Sequence, residues 1–547
     1  MNNNFQRFVD IIHTLKYLKF KQIYYRVYYK FHKLSVIQPN QPFQLNWTWA
    51  GPLLSEQSIF PNNKVRFLHQ DGLVDDINDW NCSSKPKLWL YNLHYFDDLS
   101  SGEGPERRIL QLMFIRKWIE ENPPCIGNGW EPYPTSLRLV NWVKWCSLDK
   151  DISPKVLHSI LQQGLILDQQ LEYHILGNHL FANAKALTFV GAYLKGDESK
   201  ELLDKGVHLI NSELNEQFLP DGGHFELSPM YHEILIWDLL ELIDLAGTSQ
   251  NEILLKCMPN WIRIAKLALS WLSSMIHEDG EVSFFNDSAI GIAKKPEQIY
   301  SYANKLGIKF DINSNQLITH QYSGYSRVSF SNYSLIFDHA NVGPDYLPGH
   351  AHADTLSFEM SIGLQRVFVN SGTSLYGLSE ERLRQRKTPA HNTVSVGSFD
   401  SSQVWSGFRV AKRAYAKLEK SLCENDKVEL IASHNGYLQQ KTKVKHTRKL
   451  SCDSDTLLIV DSMSKPIESC FHLHIHPEVD VEQINDKSVE LFLAGQIICT
   501  VSSSEAITIL DSTYHPEFGK SIPNKKLQIP FSSGNLKTQI NLISESM

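Results

Sequence analysis

Apolar residues recur every three or four positions from about residue 105 to about residue 310. This spacing places apolar side chains on one face of a helix, so it predicts a series of helices that each bury one face. Short breaks rich in proline, glycine and asparagine separate the segments, as expected for packed helical hairpins. No repeat of fixed length is visible, which disfavours a simple solenoid. The clearest helical segments are 106–121, 136–147, 155–173, 179–195, 231–246 and 260–276.

From about residue 318 onward the period of the apolar positions falls to two. Alternation of this kind predicts short strands with one buried face. No helical segments alternate with these strands, so the sheets should be antiparallel and packed as a sandwich. The change of period places a domain boundary near 310–320. The clearest strands are 325–330, 334–338, 356–360, 366–370, 393–396, 457–461, 471–476 and 507–510.

These patterns divide the chain into three parts. Residues 1–50 form a basic, amphipathic N-terminal segment, residues 51–315 a helical domain, and residues 316–547 a sheet domain. A chain of 547 residues is too long for one ordinary core, which agrees with two large domains. The sequence therefore predicts an α+β multidomain protein, with the helices first and the strands second.

The N-terminal segment carries an unusual charge pattern. Within residues 1–34, seven lysine and arginine residues oppose the single acid Asp10, and Phe8, Ile12 and Leu15 recur at helical spacing. One interpretation is peripheral contact with an anionic membrane through residues 1–34. The simpler interpretation is a helix docked on the protein's own body.

The overall charge and the motifs argue against a nucleic-acid-binding protein, a disulfide-rich protein and an enzyme with an organic cofactor. A net charge of −7 argues against a nucleic-acid partner, because neutralising phosphates requires a basic surface. The eight cysteines include no CxxC pair, and no glycine-rich nucleotide-binding motif is present, so neither a disulfide framework nor an organic cofactor is expected. The N-terminus lacks the apolar run of a signal peptide, which predicts a cytoplasmic or inner-membrane-associated, bacterial-type protein.

Two polar clusters begin helices in the first domain. Asn178 and His179 follow Gly177, where polar side chains can point into a cavity, although an asparagine there is also a common helix cap. The run 221–233 places a glycine turn just ahead of Tyr231. A tyrosine beside histidines can transfer protons if its surroundings adjust a pKa normally near about 10, although most such tyrosines simply pack.

Two further clusters lie in the sheet domain. His350, His352 and Asp354 are spaced two apart, so in a strand they would share one face. Such a triplet is rarely buried merely for packing. The run from Arg386 to His391 leads into another predicted strand.

In this order and on these elements, the four clusters resemble the heparinase II/III-like polysaccharide lyases and the related alginate lyases. The resemblance begins at the run 89–97, passes through Gly129-Trp130, and is most specific at 350–358 with Gly372-Thr373 and His391-Asn392-Thr393. It implies an N-terminal (α/α) toroid followed by a C-terminal antiparallel β-sandwich, with the active site in the cleft between them.

The resemblance also assigns roles to individual residues. Asn178 matches an asparagine that neutralises the substrate carboxylate, Tyr231 a tyrosine that acts as Brønsted acid and base, and His350 a histidine near the uronate. His179 matches a second histidine that alginate-type members use in proton transfer. The remaining candidates for substrate contact are Glu226, His232 and Arg386.

A metal ion, zinc or another divalent cation, is implied in the sheet domain. His352, Asn370 and His391 fall at its ligand positions. The middle ligand is typically an aspartate, and an amide in its place contributes no charge, so weak or partial occupancy is expected. The expected role of the ion is structural.

The implied reaction is β-elimination on an acidic, uronate-containing polysaccharide or oligosaccharide, in a setting such as surface-polysaccharide metabolism. Loss of the C5 proton pushes charge onto the neighbouring carboxylate, so hydrogen-bond donors are needed where that charge develops. Two alternatives stay open: a glycan-binding protein with little or no activity, and a metal-dependent hydrolase built on His350-x-His352-x-Asp354. A glycosidase would need two acids across the bond, and Glu226 and Glu233 lie on one short segment.

Overall fold

The computed structural model describes residues 3–102 and 104–543. In this part of the chain, eleven α-helices precede the sheet domain and a twelfth lies within it. Several of the helices begin with a proline, whose fixed φ suits the first helical turn. The helices are α1 Asn3–Leu15, α2 Phe20–Phe31, α3 Lys87–Tyr95, α4 Pro105–Glu121, α5 Pro132–Ser147, α6 Pro154–Asp168, α7 Gly177–Tyr193, α8 Asp197–Gln217, α9 Pro229–Ser249, α10 Glu252–Ser274, α11 Pro296–Lys305 and α12 Glu380–Arg386.

Helix α7 lies at the centre of the helical domain. It packs against α5, α6, α8 and α9, and nearly all of its residues are buried. Helix α8, which was not among the clearest predicted segments, follows α7 after a short link and packs along it. Each of the six predicted helical segments overlaps one observed helix. None of the helices in the described residues combines the length and apolar character needed to cross a bilayer.

All of the strands in the main sheets pair antiparallel, as the alternating pattern predicts. Five lie in the N-terminal half and were not predicted from the sequence. The strands are β1 Phe43–Gln44, β2 Ile59–Phe60, β3 Lys64–Phe67, β4 Gln70–Leu73, β5 Leu194–Lys195, β6 Leu317–His320, β7 Tyr325–Ser329, β8 Tyr333–Asp338, β9 Phe358–Ile362, β10 Gln365–Phe368, β11 Val394–Val396, β12 Val404–Trp405, β13 Arg409–Val410, β14 Ala416–Glu424, β15 Lys427–His434, β16 His446–Cys452, β17 Thr456–Met463, β18 Ser469–His474, β19 Asp480–Asn485, β20 Ser488–Leu493, β21 Gln496–Ser503, β22 Thr508–Tyr514, β23 Ile522–Phe531 and β24 Asn535–Leu542.

The sheet domain is a two-layer sandwich. An eight-stranded sheet has the order β14-β15-β16-β17-β24-β21-β20-β19. A five-stranded sheet, β10-β9-β8-β7-β6, and a four-stranded sheet, β11-β18-β23-β22, form the other layer and meet through a bridge between Phe368 and Ile475. One apolar core contains side chains from all three sheets. Helices followed by an antiparallel sandwich confirm the predicted fold class.

Candidate active site

Helix α7 presents Asn178 and His179 in its first turn. Leu176 and Gly177 both have positive φ, so the chain turns sharply into the helix. A Cβ on Gly177 would lie 2.9 Å from Glu226 Oε1 and closer still to Leu347, so only glycine allows this approach. The side chain of Asn178 makes no hydrogen bond within the described residues, which leaves its amide available for a ligand.

His179 forms an ion pair with a buried carboxylate. Its Nδ1 lies 2.9 Å from Glu172 Oε1, and its ring lies 4.5 Å from that of Tyr133. Burial disfavours the charged imidazolium, but the charges of Glu172 and Glu226 and the Glu172 hydrogen bond outweigh burial and raise the pKa of His179 above its usual value. His179 therefore exchanges its proton at a higher pH than a free histidine.

Tyr231 is positioned by the cap of helix α9. The Ser228 hydroxyl accepts a hydrogen bond from the Tyr231 backbone N–H, which fixes Tyr231 in the first turn. Its ring lies 4.0 Å from that of His350, and its hydroxyl lies 2.9 Å from the Tyr376 hydroxyl. Burial, with the Tyr376 contact and the charge of Asp287, raises the pKa of Tyr231 well above its usual value, so the phenol keeps its proton at neutral pH.

Asp287, in the loop after helix α10, is the centre of a polar network whose other members come from the sheet domain. His350 Nδ1 lies 2.9 Å from one of its oxygens and His352 Nε2 lies 2.8 Å from the other. The Arg382 guanidinium makes a two-pronged contact with the same carboxylate, with Nη2 at 2.6 Å from Oδ2. These three contacts fix the ring of His350 against Tyr231.

The charge state of this network follows from its contacts. Burial by itself would raise the pKa of Asp287, but the Arg382 charge and the two histidine hydrogen bonds hold it well below its usual range. Burial lowers the pKa of His352 to about 4, so this ring is neutral at pH 7. The buried ion pair is thus between Asp287 and Arg382.

Glu226 lies between the two halves of the site. One of its oxygens is 3.7 Å from His350 Nε2, and the other faces Gly177 at the start of α7. Neither oxygen has a side-chain hydrogen-bond partner within the described residues. Burial raises the pKa of Glu226, although His350, His179 and the backbone N–H of Asn178 act against this rise. A carboxyl group in this position can accept a proton and donate a hydrogen bond to an anionic ligand.

Strained backbone surrounds the cluster. Leu176, Leu227 and Asn286 all have positive φ, and they adjoin Gly177, Glu226 and Asp287. Each such residue costs on the order of 1–3 kcal/mol and persists where the surroundings impose it. Asn286 also joins the domains, because its amide donates to the Leu227 carbonyl while its oxygen accepts the His352 N–H. This strain is typical of functional sites.

The structure therefore connects four of the proposed site residues through successive contacts. Asn178 lies in the first turn of the helix that faces Glu226, Glu226 approaches His350, and the His350 ring lies tilted against that of Tyr231. A groove of about 660 Å³ also opens between the two domains. Phe225 and Leu227, which flank Glu226 in sequence, line this groove, but the four connected residues do not.

The side chains of His232 and Arg386 are buried in the protein interior and are bonded to backbone groups. Both His232 ring nitrogens bond to backbone, at His224 and Ala268, and burial lowers its pKa to about 3. The Arg386 guanidinium is fully buried and donates to the carbonyls of Ala351, Ser406 and Arg409. Neither side chain has a group left for substrate, so we assign both to the structural framework and correct their assignment as substrate contacts.

The implied metal ligands are brought together. The His352 and His391 rings lie 5.2 Å apart. His352 Nδ1, both nitrogens of His391 and Nδ2 of Asn370 are buried without a hydrogen-bond partner in the described part of the chain. Across residues 3–102 and 104–543, no group of three His, Cys, Asp or Glu side chains is arranged to hold a metal ion. The unpartnered imidazole nitrogens of His352 and His391 fit a cation, but the Asn370 Nδ2 is an amide NH2 that does not coordinate one, and the trio supplies no negative charge.

Three residues of the site were not found from the sequence: Asp287, Arg382 and Tyr376. Asp287 lies in the loop after α10, about 60 residues from His350, and no motif marks it. The triplet 350–354 is also not in a strand, because β9 begins at Phe358. His350 and His352 converge because both bond to Asp287, whereas Asp354 accepts from the Asn286 N–H. This arrangement gives no support to a metal-dependent hydrolase.

Comparison with known proteins places the chain in a family. The family model described as Heparinase II/III N-terminus matches residues 114–307, and the model described as Heparinase II/III-like, C-terminal, matches residues 314–543. A heparin-sulfate lyase of Bacteroides stercoris is 23% identical over 381 residues, which is 63% of this chain and 53% of that protein. The chain thus spans about half the length of this curated relative.

Solved structures share the fold. A crystal structure of heparinase III has a TM-score of 0.71 at 18% identity, covering 96% of this chain and 89% of the other. Heparan sulfate lyase HepC from Pedobacter heparinus has a TM-score of 0.57 at 16% identity, covering 96% and 88%. Together the two family models span most of the helical domain and nearly all of the sandwich. The chain therefore belongs to the heparinase II/III-like family.

Proposed function

We propose that this protein is a polysaccharide lyase that cleaves an acidic, uronate-containing polysaccharide by β-elimination. The observation that carries the proposal is the contact of Tyr231 with His350 where residues of the two domains meet, with Glu226 and the start of the Asn178 helix next to them. The curated relative and both structural neighbours are named as lyases of heparin or heparan sulfate, or as heparinase. We propose a polymer of that acidic class as substrate.

The geometry supports a division of labour in the elimination. Abstraction of the C5 proton places negative charge on the uronate carboxylate, and we assign the Asn178 amide and His350 to donate hydrogen bonds to it. Tyr231 holds its proton at neutral pH, so it is suited to protonate the departing C4 oxygen, while neutral His179 takes up the C5 proton. In the alternative, the deprotonated form of Tyr231 acts alone: it takes up the C5 proton and passes that proton to the C4 oxygen. Cleavage leaves a 4,5-unsaturated sugar.

The proposal is tested by product formation. Purified protein is incubated with heparan sulfate, chondroitin sulfate, alginate and unsulfated uronate polymers, and the unsaturated product is followed by ultraviolet absorbance. We expect product from at least one polymer. Binding of a polymer without product from any would support the alternative, a glycan-binding protein.

The pH dependence distinguishes the two candidates for the base. If His179 is the base, kcat/KM rises with pH through its raised pKa, because only the neutral imidazole accepts a proton. Glu172→Gln removes the charge that favours the imidazolium, so the acidic limb of the profile should move to lower pH. If Glu172→Gln is active and the acidic limb of its kcat/KM profile stays at the same pH, the base is Tyr231.

We also propose a structural divalent cation, zinc being the first candidate, held by His352, His391 and Asn370. Burial lowers the pKa of His391 well below its usual value, so its ring is in the neutral form that binds metal. When bound, the ion would cross-link the segments that carry these residues and stabilise the loop that presents His350. Support comes from the buried imidazole nitrogens of His352 and His391 that lack hydrogen-bond partners in the described part of the chain.

Asn370→Asp should raise the affinity of this site for zinc. The Asn370 oxygen already accepts the Asn392 N–H, and its unpartnered Nδ2 would become an anionic oxygen. Metal analysis after purification without chelators, and calorimetric zinc titration of both forms, measure the change. Tight stoichiometric zinc in the native protein, unchanged by the substitution, would contradict it.

A further inference from the structure

Helix α2 exposes an apolar stripe to solvent. Phe20 and Phe31 at its two ends are 81% and 82% exposed, and four more apolar or aromatic residues between them are exposed on the same face. The spacing i, i+3, i+4, i+7, i+8, i+11 is that of one helical face. This outer stripe of α2 consists of Phe20, Ile23, Tyr24, Val27, Tyr28 and Phe31.

The opposite face of α2 is fixed to the protein. Gln22 is buried, and its Nε2 donates to the carbonyls of Ile175 at 3.3 Å and Tyr346 at 3.2 Å. The Tyr25 ring packs 4.6 Å from that of Tyr173, and the Tyr29 hydroxyl donates to the Leu171 carbonyl. The helix therefore docks through its aromatic and polar side and leaves its apolar side outside. This is the reverse of a helix that buries its apolar face on the protein body.

Basic residues border the outer stripe. Around the helix axis, Lys30 lies on one edge of the stripe, and Lys33 lies just beyond the end of α2. Lys21 lies on the other edge, but its ammonium packs over the Tyr173 ring of the protein body. Lys30 and Lys33 are exposed and make no ion pair within the described residues. The preceding helix α1 also exposes Phe8, Ile12 and Leu15. Because the whole protein carries a net charge of −7, this positive charge is a local feature.

We propose that the outer stripe of α2 binds an anionic lipid surface, with the stripe inserted at the boundary between headgroups and acyl chains. Apolar and aromatic residues on one helical face with basic residues along its borders are typical of interfacial helices, since the lysine stems reach outward to the headgroups. A neutral partner surface would not explain the unpaired lysines, and a second copy of this chain would oppose like charges.

Helix α2 is hydrogen-bonded to segments that lead into the candidate active site. Gln22 bonds to Ile175, two residues before Gly177, and to Tyr346, four residues before His350. The helix is thus fixed to segments from both domains that lead into the site. A protein bound through α2 would hold its groove beside the membrane, in reach of a glycan anchored there. Membrane binding itself is independent of the proposed lyase chemistry.

The test is sedimentation of the full-length protein with vesicles. We expect binding to phosphatidylglycerol vesicles, little binding to phosphatidylcholine vesicles, and weakening by salt. The double variant Phe20→Glu/Phe31→Glu should bind at least about tenfold more weakly, because charge at the stripe opposes insertion. Lys30→Gln and Lys33→Gln should each weaken binding about fivefold.

Leu364→Glu is the matched control, since Leu364 is 77% exposed at the turn between β9 and β10. It should bind vesicles as the native protein does. Equal binding to neutral and anionic vesicles, no binding to either, or undiminished binding of the Phe20→Glu/Phe31→Glu variant would each overturn the proposal. Self-association of the native protein that this variant abolishes, without vesicle binding, would assign the stripe to a second copy instead.

Discussion

Tyr231→Phe should reduce turnover by between about a hundredfold and ten-thousandfold, the range that proton transfer by a positioned side chain contributes. The substitution removes only the hydroxyl and keeps the ring, whose centre lies 4.0 Å from that of His350. Substrate binding should therefore persist, so kcat falls while KM changes little. Initial rates of unsaturated product formation, with polymer binding measured separately, test this prediction.

A buried tyrosine outside the site provides the control. The Tyr333 hydroxyl donates to the Asp453 carbonyl at 2.8 Å, within the sandwich. Tyr333→Phe should cost about 1 kcal/mol of stability through the lost hydrogen bond and leave kcat unchanged. Near-normal turnover in Tyr231→Phe would remove Tyr231 from the chemistry.

Asp287→Asn should both destabilise the protein and reduce its activity. The substitution removes the charge that pairs with Arg382 and leaves a buried guanidinium uncompensated. Breaking a buried ion pair in this way typically costs about 3–5 kcal/mol. The hydrogen bond that holds His350 Nδ1 also changes, because the amide can present a donor where the carboxylate only accepts. We expect a lower midpoint of chemical denaturation and, in the fraction that stays folded, a lower kcat/KM.

The sandwich contains a closely matched control. Asp461 is buried, accepts two hydrogen bonds from Arg448 at 2.8 and 2.9 Å, and bonds to His446 at 2.7 Å. Asp461→Asn should therefore lose a similar amount of stability. It should keep its kcat/KM when folded, because neither Arg448 nor His446 contacts Tyr231, His350 or the other proposed catalytic side chains. If both variants lost activity in proportion to stability alone, Asp287 would be a structural residue only.

The sequence by itself determined the two-part architecture. Spacings of three and four residues in the first half and of two in the second follow from which side chains must be buried in a helix or a strand. The glycine before Asn178 and the glycine turn ahead of Tyr231 act through neighbouring backbone, so the placement of both residues near helix starts could be predicted. The roles of His350 and of the metal trio came from the resemblance to a family.

What the tertiary structure decided depends on contacts between distant segments. Asp287 and Arg382 are separated by 95 residues, and neither has a local signal, because a buried carboxylate is recognisable only once its partners surround it. His232 and Arg386 were predicted to contact substrate, but in the structure both are buried. Their side chains form hydrogen bonds with backbone groups instead. The sequence showed that residues 1–34 are basic and amphipathic, but not which face of α2 is exposed to solvent. Only the docking of Gln22, Tyr25 and Tyr29 against the protein turned the apolar face outward.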